Sequence, residues 1–303
     1  MTDNDVPTDE QIRTQIEILI KTVDLYVMTI AQFIDALSDK LGGADLSAKN
    51  EFIKDNITEI LDAMESAREK KLFTQPESTH LGECPLCFLP MPTDRHQIIM
   101  NSCCSKLQCN GCAYAHQKRE MSLGLEQSCA FCRKPLQKNK EEEIANKMER
   151  VEANDAVAIR EIGCHHEKQG DYAGAFECYS KAAGLGDIEA HFLLSTYYAD
   201  GTGVEKNIDK EIYHLEEAAM GGHLGARHNL GIYESISGNT ESAVKHWIIA
   251  ANLGNDESMK TLREDYARGN ITKEVYAATL RSYQDAVVGM KSVQRKEAVD
   301  AEW

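Results

Sequence analysis

No apolar run in these 303 residues is long enough to cross a bilayer. The longest, YVMTIAQFI from Tyr26 to Ile34, is bounded by Asp24 and Asp35. Positive charge is also scarce. Lys and Arg number 33 against 49 Asp and Glu, and the net charge of −16 argues against a general nucleic-acid binder. The N-terminus, MTDNDVPTDE, is acidic where a secretory signal is basic and then apolar. There is no H-E-x-x-H and no G-x-S-x-G. The GTG at 201–203 lacks a following glycine-lysine or a preceding strand, so it reads as a turn and not a phosphate loop. These absences predict an intracellular protein, cytoplasmic or nuclear, without signal peptide, transmembrane segment, hydrolytic site or nucleotide site. Cysteine is missing from most of the chain, yet eight of the ten lie between Cys84 and Cys132. In a reducing compartment such clustering reads as metal ligation before disulfides.

What is present predicts a mainly α protein in successive regions. Residues 1–78 read as helix, with Thr8 and Gln11 forming a capping box. Ile12, Ile16, Leu19, Val23, Tyr26, Ile30, Phe33 and Leu37 then make a heptad seam that Leu41-Gly42-Gly43 ends. A second helix over about 47–71 carries Ile53, Ile57, Ile60 and Met64. The pair is expected as a helical hairpin packed on itself or on its neighbours, or as a coiled coil that joins two copies in a homodimer. Residues 74–82 are a polar linker, 83–138 the cysteine module, 139–153 a charged and solvated helical linker, and 293–303 a polar tail.

Residues 154–292 repeat internally. AIREIG, AHFLLS, ARHNLG and SMKTLR open successive units at Ala158, Ala190, Ala226 and Ser258, spaced 32, 36 and 32. The long interval comes from the turn ADGTGVEKNID, four residues longer than its counterparts. Each of the first three units closes on an alanine pair (182–183, 218–219, 250–251) followed by Gly186, Gly222 or Gly254. Small residues let two helices approach closely, and Tyr179, Tyr197, Leu215, Tyr233 and Trp247 supply bulk between units. One helical pair cannot bury its own apolar face, so the pairs are expected to stack into a right-handed solenoid. The pattern resembles Sel-one-like repeats, relatives of the tetratricopeptide family. That resemblance implies a scaffold that binds a protein partner and brings no chemistry. The fourth unit lacks the closing alanine pair, and its helix ITKEVYAATLRSYQDAVVGMKS is expected to cap the stack. Cys164 and Cys178 read as small buried residues. The repeat histidines His165, His191, His214, His223, His228 and His246 form no recognisable ligand spacing.

The cysteines run C84-x2-C87-x15-C103-C104-x4-C109-x2-C112-x16-C129-x2-C132. Eight sulfurs suit two tetrahedral zinc sites. Pairs can join sequentially, first with second and third with fourth, or interleave, first with third and second with fourth. A module of about 55 residues needs such help to fold. C-P-L-C at 84–87, C-x4-C-x2-C at 104–112 and C-A-F-C-R at 129–133 resemble a RING finger of the all-cysteine kind. The resemblance implies a cross-brace with two structural zinc ions: Cys84, Cys87, Cys109 and Cys112 at site one, Cys103, Cys104, Cys129 and Cys132 at site two. His96 or His116 are the alternatives to one of the adjacent pair. The resemblance also implies a ubiquitin-protein ligase that binds a ubiquitin-conjugating enzyme and orients ubiquitin without a covalent intermediate. Leu86, Ala130, Phe131 and Pro135 would contact that enzyme, and Arg133 would bridge enzyme and ubiquitin. The competing expectation is a non-catalytic zinc-binding scaffold.

Overall fold

The computed structural model describes residues 7–21 and 29–301, which form two compact units, one ending at Leu72 and one beginning at Phe73. The first contains α1 (Asp9–Ile20), α2 (Ile30–Lys40) and α3 (Asn50–Leu72). Thr8 and Gln11 cap α1 reciprocally, and Thr29 and Gln32 do the same for α2. The expected unbroken heptad helix is therefore corrected to two helices. The second capping box sits inside the supposed seam, and a capping box starts a helix. Ile30, assigned to the seam, is the first residue of α2 and is 54% exposed. Val23 and Tyr26 lie outside the described residues. Ile12, Ile16, Leu19, Phe33, Leu37 and Ile53 meet in one core with Leu46, so three helices share a core where a hairpin was expected. Met64 is exposed.

In the second unit, a short antiparallel pair, β1 (Ile98–Met100) and β2 (Leu107–Cys109), leads into α4 (Asn110–Ser122). Beyond it, α5 (Lys140–Glu152) packs on α6 (Ala156–Lys168). Its Val151 joins the first solenoid core, and Lys147 pairs with Glu161 at 3.5 Å, so this helix is the opening layer of the stack and not a solvated spacer. Then α7 (Tyr172–Gly184), α8 (Ile188–Asp200), α9 (Ile208–Met220), α10 (Leu224–Ile236), α11 (Thr240–Asn252) and α12 (Asp256–Arg268) follow, each packed on the next. The last long helix, α13 (Lys273–Gly289), packs on α11 and α12.

The repeat period has a local cause. Asp155, Asp187, His223 and Asn255 each cap the next helix by accepting from the N–H of Ala158, Ala190, Ala226 and Ser258, the residues that open the units. The turn glycines Gly186, Gly222 and Gly254 share φ of 89, 88 and 90°, a conformation that side chains resist. Between helices, small residues face large ones. A Cβ on Gly163 would lie 2.6 Å from the Tyr179 ring, and one on Gly231 would fall inside the Trp247 indole. Equivalent positions in the middle unit carry buried Ser195 and Leu215.

Two segments depart from their expected roles. The linker 74–82 lies on the solenoid: just before it Phe73 meets the His246 ring at a tilt with centroids 4.8 Å apart, Gln75 accepts from the Asn252 amide at 3.1 Å, and the His80 N–H donates to Gly222 O at 3.2 Å. The expected polar tail forms α14 (Val293–Asp300), which packs against α4. Its Ala298 is wholly buried, which a solvated tail would not require.

Candidate metal centre

The module is organised by a backbone turn used three times. At residues 84–89 the Cys84 N–H donates to Leu89 O at 2.9 Å and the Phe88 N–H donates to Cys84 O at 2.8 Å. At 129–134, Cys129 and Arg133 donate to Lys134 O and Cys129 O at 2.8 and 3.0 Å. At 101–106, Asn101 and Ser105 donate to Lys106 O and Asn101 O at 3.0 and 2.8 Å. The fifth residue is left-handed in all three, with φ of 56, 61 and 56° at Phe88, Arg133 and Ser105. In each turn the two backbone bonds close a loop that contains the cysteine ligands.

Aligning the three turns explains the adjacent cysteines. Cys104 occupies the place of Cys87 and Cys132, and Asn101 occupies the place of the first cysteine. The Asn101 amide is used within its own turn, donating to Lys106 O at 3.0 Å. Cys103, one step back from Cys104, supplies the thiol that Asn101 does not. The sequence held this signal in the three-residue step from Asn101 to Cys104, but only an alignment of turns exposes it.

The fourth pair is built differently. Cys109 is the N-cap residue of α4 and Cys112 lies in its first turn. The structure brings Cys84, Cys87, Cys109 and Cys112 into one group and Cys103, Cys104, Cys129 and Cys132 into another, the sulfurs of each within 4.8 Å of one another. Cys87 and Cys109 sulfurs are 3.9 Å apart, Cys104 and Cys129 3.8 Å, and Cys103 and Cys132 3.3 Å. Backbone donors also face sulfur, with Cys109 N to Cys84 Sγ at 3.4 Å and Phe131 N to Cys129 Sγ at 3.5 Å.

As bare thiols these groups oppose one another. The hydrogen bond from Cys109 holds Cys84 down to about 4. The same bond pushes Cys109 up, and burial pushes Cys112 up to about 12. Burial likewise raises Cys103 and Cys104. Four converging sulfurs, some of them held protonated by burial, are the donor set that a tetrahedral dication relieves. The two cysteine clusters can bind metal ions. His96 and His116 belong to neither group. His116 faces Ser128 O at 3.1 Å and Glu120 at 3.2 Å instead.

Around the groups, Leu86 is 38% exposed, Ala130 and Phe131 are half-buried, and Arg133 and Pro135 are exposed. Cys164 and Cys178 are half-buried in the repeats, where burial raises both thiols.

A third cluster joins the linker to the solenoid. His80 Nε2 and His223 Nε2 each lie 3.3 Å from one oxygen of Glu189, whose other oxygen bonds Arg95. The donor types suit a cation, but the proton positions do not. His223 Nδ1 accepts from Ala226 N at 3.0 Å, which leaves its proton on Nε2, aimed at Glu189. Arg95 already supplies a positive charge. Contacts from His80, His223 and Arg95 outweigh burial and hold Glu189 far below the usual carboxylate range, so this group is a charge-paired anchor for the segment entering the module. Sequence spacing missed it because its members are 109 and 34 residues apart.

Comparison with known proteins assigns the repeats. Residues 165–187, 188–223 and 224–255 match the Sel1 repeat model, and residues 7–61 match the DEK C terminal domain model. No zinc-binding family is identified for the cysteine segment. Chitin synthase regulatory factor 4 of Schizosaccharomyces pombe is 33% identical over 85 residues, which are 28% of this chain and 13% of that protein. The match thus spans a small part of the curated relative. A Sel1 repeat protein from Oxalobacter formigenes is 25% identical, covering 50% of this chain and 66% of its own with a TM-score of 0.44. A protective antigen of uropathogenic Escherichia coli displaying an SLR fold is 20% identical, covering 62% and 39%, with a TM-score of 0.38.

Proposed function

We propose that this chain is a zinc-braced scaffold for protein–protein interaction. The observation that carries the reading is the Sel1 repeat array at 165–255, onto which the linker anchors the cysteine module. Sel1 repeats generally mediate contacts between proteins, and a stack of helical pairs offers an extended surface for a partner. Zinc would be held by Cys84, Cys87, Cys109 and Cys112 at one site and by Cys103, Cys104, Cys129 and Cys132 at the other. Its role there is to fold the module. Among the described residues no helix is long and apolar enough to cross a membrane. Eight convergent thiols suit a reducing, intracellular compartment.

A second reading, a RING-type ubiquitin ligase, is favoured by one placement. Leu86 and Phe131 stand at equivalent positions of the 84–89 and 129–134 turns, with Pro135 and exposed Arg133 beside the second. In this reading the module docks a ubiquitin-conjugating enzyme and contributes orientation alone.

Metal analysis and ubiquitin transfer with a panel of conjugating enzymes separate the readings. The scaffold reading expects two zinc ions per chain and no transfer above background. Transfer by the wild type that Leu86→Ala and Arg133→Ala abolish, with zinc content unchanged, replaces it with the ligase. A chain without zinc overturns both accounts of the module.

A further inference from the structure

We infer that Arg295, on the C-terminal helix α14, is the counter-cation of the first four-cysteine site and slows loss of its zinc. This rests on the zinc reading above and adds a residue 183 positions beyond the last of that site's cysteines.

Arg295 is only 3% exposed. Its Nη1 donates to Pro90 O at 2.8 Å and to Met290 O, and its Nη2 lies 3.5 Å from Leu89 O and 3.6 Å from Cys87 Sγ. The guanidinium also faces Cys109, and its Nε is buried without a hydrogen-bond partner. Among the described residues no carboxylate pairs with it. A guanidinium stays charged at any physiological pH, and a buried charge without an opposite partner is strongly unfavourable. Carbonyls orient it, and the sulfurs of Cys87 and Cys109 are the atoms beside it that can carry negative charge.

The cysteine site has the complementary need. Four thiolates on one dication leave a net charge of about −2. Cys84 and Cys109 are wholly buried, Cys112 is 9% exposed and Cys87 is half-buried, so water screens that charge poorly. At the second site Cys132 is exposed to solvent, and no arginine is placed there in this way.

Gly111 shows that the approach of α14 is built into the ligand turn. It lies between Cys109 and Cys112, and a Cβ there would stand 2.6 Å from Arg295 N and 2.8 Å from its Cα. Backbone cannot yield as a flexible side chain does. The glycine lets α14 come close enough for Arg295 to reach around to the 84–89 turn.

The test uses the full chain loaded with zinc. Excess EDTA is added with N-ethylmaleimide, and modification of each cysteine is timed by peptide mass mapping. Arg295→Met should speed modification of Cys84, Cys87, Cys109 and Cys112 about tenfold, as loss of a partner beside metal ligands does elsewhere. Cys103, Cys104, Cys129 and Cys132 should keep their wild-type rate. Arg295→Lys should restore part of the difference, because it keeps charge without the fork. Gly111→Ala should act like Arg295→Met by displacing the helix, and Lys296→Met, at an exposed position of α14, should change nothing. Unchanged rates in Arg295→Met overturn the inference, as does equal acceleration of all eight cysteines, which marks general loosening of the module. Zinc content of the wild type is read first. If it is nil, the zinc reading fails, whereas two zinc ions with unaltered release in Arg295→Met sinks the counter-cation alone.

Discussion

The solenoid and the cysteine module fix their backbones by opposite means. In the solenoid the work is spread over many small contacts, where alanines at the closing pairs are buried and Gly163 and Gly231 admit Tyr179 and Trp247. The module has few apolar core residues of its own: Met91 packs with Leu81, Ile98 and Leu107 around Cys84, Cys109 and Cys112. Three hydrogen-bonded turns and one helix start aim its sulfurs, and the proposed metal closes the structure. Distributed packing should fail by degrees, whereas ligation should fail all at once.

The sharpest way to break this contrast is to remove the metal. Chelation should abolish hydrogen-exchange protection across 83–136 and in α14, while α6 to α12 keep theirs. Equal loss in both regions would show that the solenoid depends on the module. The converse perturbation is Gly231→Ala, which forces a methyl group into the Trp247 indole. It should cost the solenoid about 1–3 kcal/mol by urea denaturation while zinc content stays at the wild-type value.

Acid provides a smaller, graded test. Burial beside Arg227 holds His246 down to about 4, and burial beside His191 and Lys210 holds His214 down to about 4. Both are close to 6.5 in an unfolded chain, so unfolding takes up protons between those values. Solenoid stability should therefore be full above about pH 6.5 and fall as pH drops toward 4. The expected loss is at most about 3 kcal/mol per histidine. Hydrogen exchange in α10 and α11 would follow it without the signal from the thiols, and His246→Leu should flatten the slope. The smallest expected effect is Asn255→Ala, which removes the cap on Ser258 N and should cost about 1 kcal/mol. An effect spreading into the module would contradict local failure.

The contrast also explains what the sequence made legible. The solenoid repeats at short range, so its caps, alanine pairs and turn glycines recur at 32 and 36 residues and can be read by eye. Each cysteine carries its chemistry in its name, so the candidate ligands were visible even though nothing in their spacing alone selected the interleaved pairing. The capping box at Thr29 and Gln32 was equally available, but the apolar spacing across it masked the break between α1 and α2. Contacts over long separations were not legible. Arg295 sits in a segment of ordinary polar composition, and only the approach to Gly111 reveals what it faces. His80, Glu189 and His223 belong to three stretches with no shared pattern.

One of those three carries a wider consequence. A repeat array presents nearly the same turn several times, so a segment that recognises one turn could settle on its neighbours and leave the molecule out of register. Where the other units begin on aspartate or asparagine, the unit at 223 begins on histidine, which holds its own helix with one nitrogen and turns the other toward Glu189. Gly222 beside it receives the His80 N–H. The exception at 223 therefore works as an address within a repetitive surface, giving the incoming chain one turn to recognise out of several that otherwise look alike.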